Sequence, residues 1–216
     1  MSFGKVAVGC RIGKHPEAAF FAAWTGLIVQ GMRTGDIVLS PSAHMPAHWA
    51  GDFLASQFMK SDCDSLLMID DDMEFAPESL AAMRDKQANA DYDIVFGLCT
   101  TREMPPKPVT LRRVDEEREL YDRVYDFNEG DTIPVDTVGL AFTLIKRRVF
   151  EAFIHPNGLE STYFFAYGYG RETDETPFCR RARGYGFTMA VDTAVQIDHI
   201  AAIPLGWRHV PKVSNG

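Results

Sequence analysis

The chain has 216 residues, of which 46% are hydrophobic, 12% aromatic and 24% charged, the make-up of a globular protein and not of a disordered or fibrous one. Twenty-two Lys and Arg against 30 Asp and Glu leave a formal charge of −8. That balance argues against whole-molecule attraction to nucleic acid or anionic lipid, while leaving room for local basic patches. No Ser/Gly- or Pro-rich linker divides the sequence, so residues 1–216 read as one domain. Cys10, Cys63, Cys99 and Cys179 are far apart and form no CxxC pair, which suggests neither a zinc knuckle nor a disulfide framework and fits a reducing compartment. The start, MSFGK, lacks the charged and long apolar regions of a signal peptide, and no apolar run approaches the roughly 18 residues of a membrane span. A cytoplasmic protein without a membrane span is expected.

In chain order, residues 5–10 (KVAVGC) form a short β-branched run, followed by an Ala-rich helix over residues 17–31 closed by glycine. Residues 36–39 (DIVL) read as a second buried strand, and residues 44–59 place Trp49, Phe53, Leu54 and Phe58 near helical spacing. A third strand, residues 65–69 (SLLMI), precedes a helix over residues 77–86 with proline in its first turn, and residues 92–98 (YDIVFGL) form a fourth strand. This alternation predicts an α/β fold with a mainly parallel central sheet and helices on both faces. After Cys99 the pattern changes. Prolines at 105, 106 and 108 lead into charged antiparallel segments over residues 109–127. Residues 137–145 (TVGLAFTLI) then read as one buried strand, 146–153 as a short helix, 175–183 as a helix ending at Gly184, and 187–190 with 194–197 as the last strands.

Asp70, Asp71 and Asp72 follow the third strand without a break, at the carboxyl edge where open α/β sheets bind ligands. In an extended segment Asp70 and Asp72 share a face and Asp71 points elsewhere. Two carboxylates facing one spot suit a hard cation such as Mg²⁺ or Mn²⁺; the alternative is a solvated turn capping the next helix, for which one carboxylate is enough.

The stretch LLMIDDDMEFAPESL resembles the Asp-x-Asp segment of GT-A glycosyltransferases, especially the family 2 type. VDTVGLAFTLIKRRVFE resembles the glycine-containing strand and basic helix of the same enzymes, DETPFCRRARGYGF resembles their Glu-Asp-x-x-Phe-Cys-x-Arg helix, and the three follow in the same order. The resemblance implies the GT-A nucleotide-diphospho-sugar transferase fold over about residues 5–199, with a nucleotide-binding half near residues 1–104 and an acceptor half near 105–216. It also implies a nucleoside-diphosphate sugar as donor, a Mn²⁺ or Mg²⁺ ion, and a carboxylate base that opens the late helix. Here the acidic pair is Asp174 and Glu175, reversed from the family's Glu-Asp. Aligning Phe178 and Cys179 puts Glu175 at the base position with one methylene more of reach, a change of over an ångström. The choice between the two stays open, as does the plainer reading that the pair complements the helix dipole.

By the same resemblance His199 completes a metal site with Asp70 and Asp72, imidazole being an acceptable ligand for Mn²⁺. From its place just after the fourth strand, Arg102 reads either as a holder of a diphosphate oxygen, through a planar, bidentate guanidinium, or as an ordinary surface arginine. Cys10 and Arg11 lie where such enzymes seat base and ribose, and Gly139 either admits the donor sugar or packs. Residues 163–170 (YFFAYGYG) could stack on a sugar or base and close over a donor. His15, His44, His48, His155 and His209 carry no comparable context.

The leading expectation is a metal-dependent, inverting glycosyltransferase with a small or saccharide acceptor favoured over nucleic acid. A nucleotidyltransferase would want a better phosphate loop than GCRIGKH after the first strand. A non-catalytic carbohydrate- or nucleotide-binding module has only the reversed acidic pair in its favour.

Overall fold

A computed structural model describes residues 4–13, 16–103, 105–115, 117–165 and 174–200. His15, His209 and most of the aromatic, glycine-rich stretch, residues 166–170, lie outside them.

The chain begins with β1 (Val6–Ile12), α1 (Ala18–Gly26) running into a π-helical turn (Leu27–Gly31), β2 (Ile37–Val38), β3 (Ser42–Ala43) and α2 (Ala47–Met59). Next come β4 (Ser65–Asp70), β5 (Met73–Glu74), α3 (Ser79–Asn89) and β6 (Ile94–Cys99). The later half adds β7 (Thr110–Asp115), β8 (Leu120–Arg123), β9 (Thr132–Pro134), β10 (Thr137–Val138), β11 (Phe142–Lys146), α4 (Arg147–Phe153), α5 (Glu175–Gly184) and β12 (Met189–His199).

The central sheet has the order β2-β1-β4-β11-β6-β12-β5, with β3 also beside β1 and β9 beside β12. Strands β1, β2, β3, β4, β6 and β12 run the same way, and β11 lies antiparallel between β4 and β6. Strands from both halves of the chain therefore interleave in one sheet. The apolar run of β4 divides between two cores: Leu66 and Met68 face the cluster containing Leu54 and Phe58 of α2, Phe150 of α4 and Phe178 of α5. Leu67 and Ile69 face the cluster containing Phe20 of α1, Leu27, and Leu80 and Met83 of α3. A strand covered on both faces has no reason to alternate, which is why SLLMI reads as continuous. The four cysteines are buried and free of disulfides. Among the described residues no helix is long and apolar enough to cross a membrane.

Three elements depart from the sequence reading. In α2 the inward face is Ala50, Gly51, Leu54, Ala55 and Phe58, while Trp49 is 58% exposed. Small residues face inward because the chain packs closely there: a Cβ at Gly51 would sit 2.7 Å from the Phe165 ring. Residues 137–145 are two strands, not one. β10 pairs with β7 in a small antiparallel sheet, β11 joins the central sheet, and Gly139 lies between them. The two final strands are one, β12, whose register against β6 jumps from Asp192↔Gly97 to Gln196↔Leu98. The extra residues loop out as a bulge, held where the Thr193 hydroxyl donates to the carbonyls of Asn128 at 2.8 Å and Asp131 at 3.0 Å.

Candidate active site

The chain leaves β1 for β2 on one side and later returns to β4 on the other, so the carboxyl ends of β1 and β4 form a topological switch point where open α/β sheets bind ligands. Their last register pair is Arg11↔Asp70. There a cavity of about 200 Å³ opens, lined by Arg11, Gly13 and Met45, by all three aspartates and by Arg102.

Arg11 is 8% exposed. A buried guanidinium needs carboxylate partners to offset its lost hydration, and it has two. Its Nε and Nη2 donate to Asp70 Oδ1 and Oδ2 at 2.6 and 3.0 Å, and its Nη1 donates to Asp174 Oδ2 at 3.0 Å. Burial pulls its pKa down, but Asp70 and Asp174 outweigh that and hold it above the ordinary arginine value. Arg11 thus clasps the end of β4 to the start of α5. Both Asp70 oxygens accept from it.

The strand ends at Asp70, and residues 71–72 form a turn, so the alternation that would set Asp70 and Asp72 on a common face stops there. Asp71 instead accepts the Gly13 backbone N–H on Oδ2 at 2.8 Å, fastening the loop after β1. Asp72 meets His199. Strand β5, which starts at the residue after Asp72, pairs antiparallel with the end of β12 through His199↔Met73, and Ile200 N–H donates to the Asp72 carbonyl at 2.8 Å. The result sets His199 Nε2 at 3.4 Å from Asp72 Oδ2. His199 Nδ1 lies 2.9 Å from the Thr100 carbonyl; a proton on Nδ1 makes this a hydrogen bond and leaves the Nε2 lone pair facing Asp72, the second-sphere arrangement of a ligating histidine. Burial lowers the His199 pKa most; the Thr100 carbonyl opposes this and the Arg102 charge adds to it.

Arg102, just past β6, forms an ion pair with Asp72 through Nη2, and its Nε donates to His199 Nε2 at 2.6 Å. Among the described residues no three His, Cys, Asp or Glu side chains gather as an ion-binding group. Of the three expected ligands, Asp72 and His199 stand together, and Asp70 is engaged by Arg11. The donor set of the remaining pair, a carboxylate oxygen and a neutral imidazole nitrogen, fits Mn²⁺, whose other positions water and phosphate oxygens can fill.

Asp174 is buried at the N-cap of α5 and Glu175, the first residue of that helix, is half-buried. At Gly139 an added Cβ would meet Val109 at 3.3 Å. Two features were not anticipated. The first is the Arg11 clasp, whose signal is a lone cation inside an otherwise apolar strand. The second is Asp52 on α2, whose Oδ1 accepts the N–H groups of Phe164 and Phe165 at 2.7 and 2.9 Å. It anchors the entrance to the aromatic, glycine-rich stretch, and nothing local in sequence marks it.

No family model and no curated protein matches the chain. Solved structures do. The crystal structure of A197 from STIV superposes with a TM-score of 0.59 at 15% identity, over 93% of this chain and 98% of that one. GalNAc-T7 with UDP, GalNAc and Mn²⁺ gives a TM-score of 0.63 at 11% identity, over 99% of this chain and 46% of that one. GalNAc-T7 is a GT-A glycosyltransferase. The fold is GT-A-like. The chain spans a little under half of that GalNAc-T7 chain, and identities this low carry the architecture alone. In the GT-A-like frame, Asp72 in the turn after β4 and His199 at the end of β12 lie at the carboxyl edge of the sheet, brought together by the pairing of β5 with β12.

Proposed function

We propose that this protein is a divalent-cation-dependent glycosyltransferase of the family 2 type, moving a sugar from a nucleoside diphosphate to an acceptor hydroxyl with inversion. The observation that carries the reading is the Asp72–His199 pair, an oxygen and a nitrogen lone pair 3.4 Å apart, in a GT-A-like fold whose neighbour was solved with UDP, GalNAc and Mn²⁺. Asp72 and His199 would hold Mn²⁺ or Mg²⁺. The bound cation supplies neutralisation of the charge that grows on the departing diphosphate. Glu175 takes the proton of the acceptor hydroxyl as that oxygen attacks the anomeric carbon from the face opposite the leaving group; one displacement of this kind inverts. Asp174, committed to Arg11 at 3.0 Å, holds the start of α5 in place and leaves the base role to its neighbour. The acceptor is a small molecule or a saccharide.

Titration calorimetry of Mn²⁺-dependent nucleoside diphosphate binding, on the wild type and on Asp72→Ala, tests the reading. Asp72 ends no core contact, so the variant folds and its Mn²⁺-dependent affinity is lost. Unchanged affinity in folded Asp72→Ala removes the metal site. Product analysis with a nucleotide-sugar then separates transfer from nucleotidyl chemistry.

A further inference from the structure

The Arg102 side chain is 59% exposed, yet its guanidinium has partners in the protein. It lies across the Asp72–His199 pair, with Nη2 on Asp72 Oδ2 and Nε donating to His199 Nε2 at 2.6 Å. Those are the same two atoms, 3.4 Å apart, whose lone pairs make the pair a ligand set for a cation. The imidazole Nε2 has one lone pair, which cannot serve an N–H donor and a metal ion together, and the guanidinium charge beside Asp72 repels a cation, so the two occupancies oppose each other.

The contrast with Arg11 shows which arginine can leave. Arg11 is 8% exposed and bonded through three nitrogens to two carboxylates, so breaking its contacts strands charges in the interior. Arg102 has solvent over more than half its side chain, and hydration offsets most of what it gives up on turning away. It also lines the cavity that contains the three aspartates, within reach of anything bound there.

We propose that Arg102 is a resident counter-cation: it occupies the Asp72–His199 pair when no metal ion is bound, competes with the ion for it, and on release takes an oxygen of the donor's diphosphate. The inference deepens the function proposed above and rests on its assignment of Asp72 and His199. It makes one further statement about the site. An ion alone must break two contacts of Arg102 with nothing in return, whereas an ion arriving with a diphosphate gives the displaced guanidinium a bidentate anionic partner. Ion and nucleotide therefore bind cooperatively, and Arg102 carries the coupling. In resting enzyme the arginine keeps the acidic edge neutralised.

The experiment is Mn²⁺ binding to the full chain, read as loss of the free-ion electron paramagnetic resonance signal, with and without UDP as the diphosphate probe. Wild type, Arg102→Gln, Arg102→Ala and Asp72→Ala are compared, each with its folding checked by circular dichroism. Removing Arg102 should tighten Mn²⁺ binding in the absence of UDP by about tenfold, the scale of one charge-assisted hydrogen bond. UDP should then improve Mn²⁺ affinity less than it does for wild type. Wild type that binds no Mn²⁺ alone while Arg102→Ala does would support the proposal equally. Unchanged or weaker Mn²⁺ binding in both Arg102 variants, with Asp72→Ala abolishing it, overturns the counter-cation and leaves the metal site standing. Mn²⁺ binding that Asp72→Ala does not affect, or that neither wild type nor either Arg102 variant shows, overturns both.

Discussion

Glu175→Gln keeps the shape of the side chain and removes its basicity, so turnover should fall by about a hundredfold or more with donor affinity little changed, the usual effect of losing a general base. Asp174→Asn should cost less in turnover, because the Asp174 carboxylate is buried and its Oδ2 accepts from Arg11 at 3.0 Å. Steady-state kinetics on the two variants decides. If Asp174→Asn is the more damaging change, the alignment through Phe178 and Cys179 is off by one and the roles exchange. Arg11 itself has a structural consequence. Arg11→Met leaves Asp174, 5% exposed, and Asp70 without their cation, and the cost should be about 3 kcal/mol in urea unfolding, the low end for a broken buried pair. The low end applies because the Asp70 side chain keeps 27% of its exposure and water can take up part of its charge. Arg11→Lys should recover only part of this, since a single ammonium cannot reproduce three directed N–H bonds.

At the scale of elements, Asp52 on α2 carries the anchor of residues 164–165. Burial is the main influence on its carboxyl and raises its pKa above the ordinary 3.8, while the two backbone N–H groups pull it back. A carboxyl whose folded pKa lies above its unfolded value binds its proton more tightly in the folded state, so stability drops as pH rises from 3.8 through the folded value. Asp52→Asn, which keeps an accepting oxygen without the buried charge, should therefore match or exceed wild-type stability at pH 7 and remove that part of the pH dependence. Asp52→Ala orphans two N–H donors and should cost about 1–3 kcal/mol; urea titrations at pH 4 and pH 7 measure both. The strands were the most legible elements. SLLMI and YDIVFGL read as buried because both faces of β4 and β6 are covered, which composition alone encodes. The inward face of α2 was not legible: aromatic Trp49 and Phe53 suggest a core stripe, whereas close approach to the Phe165 ring requires Gly51 and its small neighbours. The break between β10 and β11 was hidden as well, since both pieces are buried and apolar and only their partners differ. Of the candidate site, the nearness of Asp72 and His199 was legible and the engagement of Asp70 was not. Asp72 and His199 could be named from segments that resemble an Asp-x-Asp enzyme, but the capture of Asp70 by Arg11 depends on the register of β1 against β4, which no local pattern records.

For the whole molecule, the distribution of positive charge bears on the acceptor that the proposed transfer would use. Binding a phosphate backbone draws on several Lys and Arg along one surface. Lys146, Arg147 and Arg148 are at the wrong edge for this: Lys146 is in register with Ser65, at the amino end of β4, while the site is at its carboxyl end. Arg147 is spent on the carbonyls of Phe58, Ser61 and Cys63, and Arg148 pairs with Asp93. Arg113, Arg180 and Arg183 do converge, but on Glu119, at 3.5, 3.3 and 3.7 Å, which neutralises part of what they could offer a polyanion. With a formal charge of −8 around these committed cations, a nucleic acid acceptor would meet net repulsion. A fluorescence anisotropy titration of single- and double-stranded DNA at increasing salt should accordingly show no binding even at the lowest salt. Micromolar affinity that falls steeply as salt rises would reverse the preference for a small or saccharide acceptor and direct attention to the face where Arg113, Arg180 and Arg183 meet.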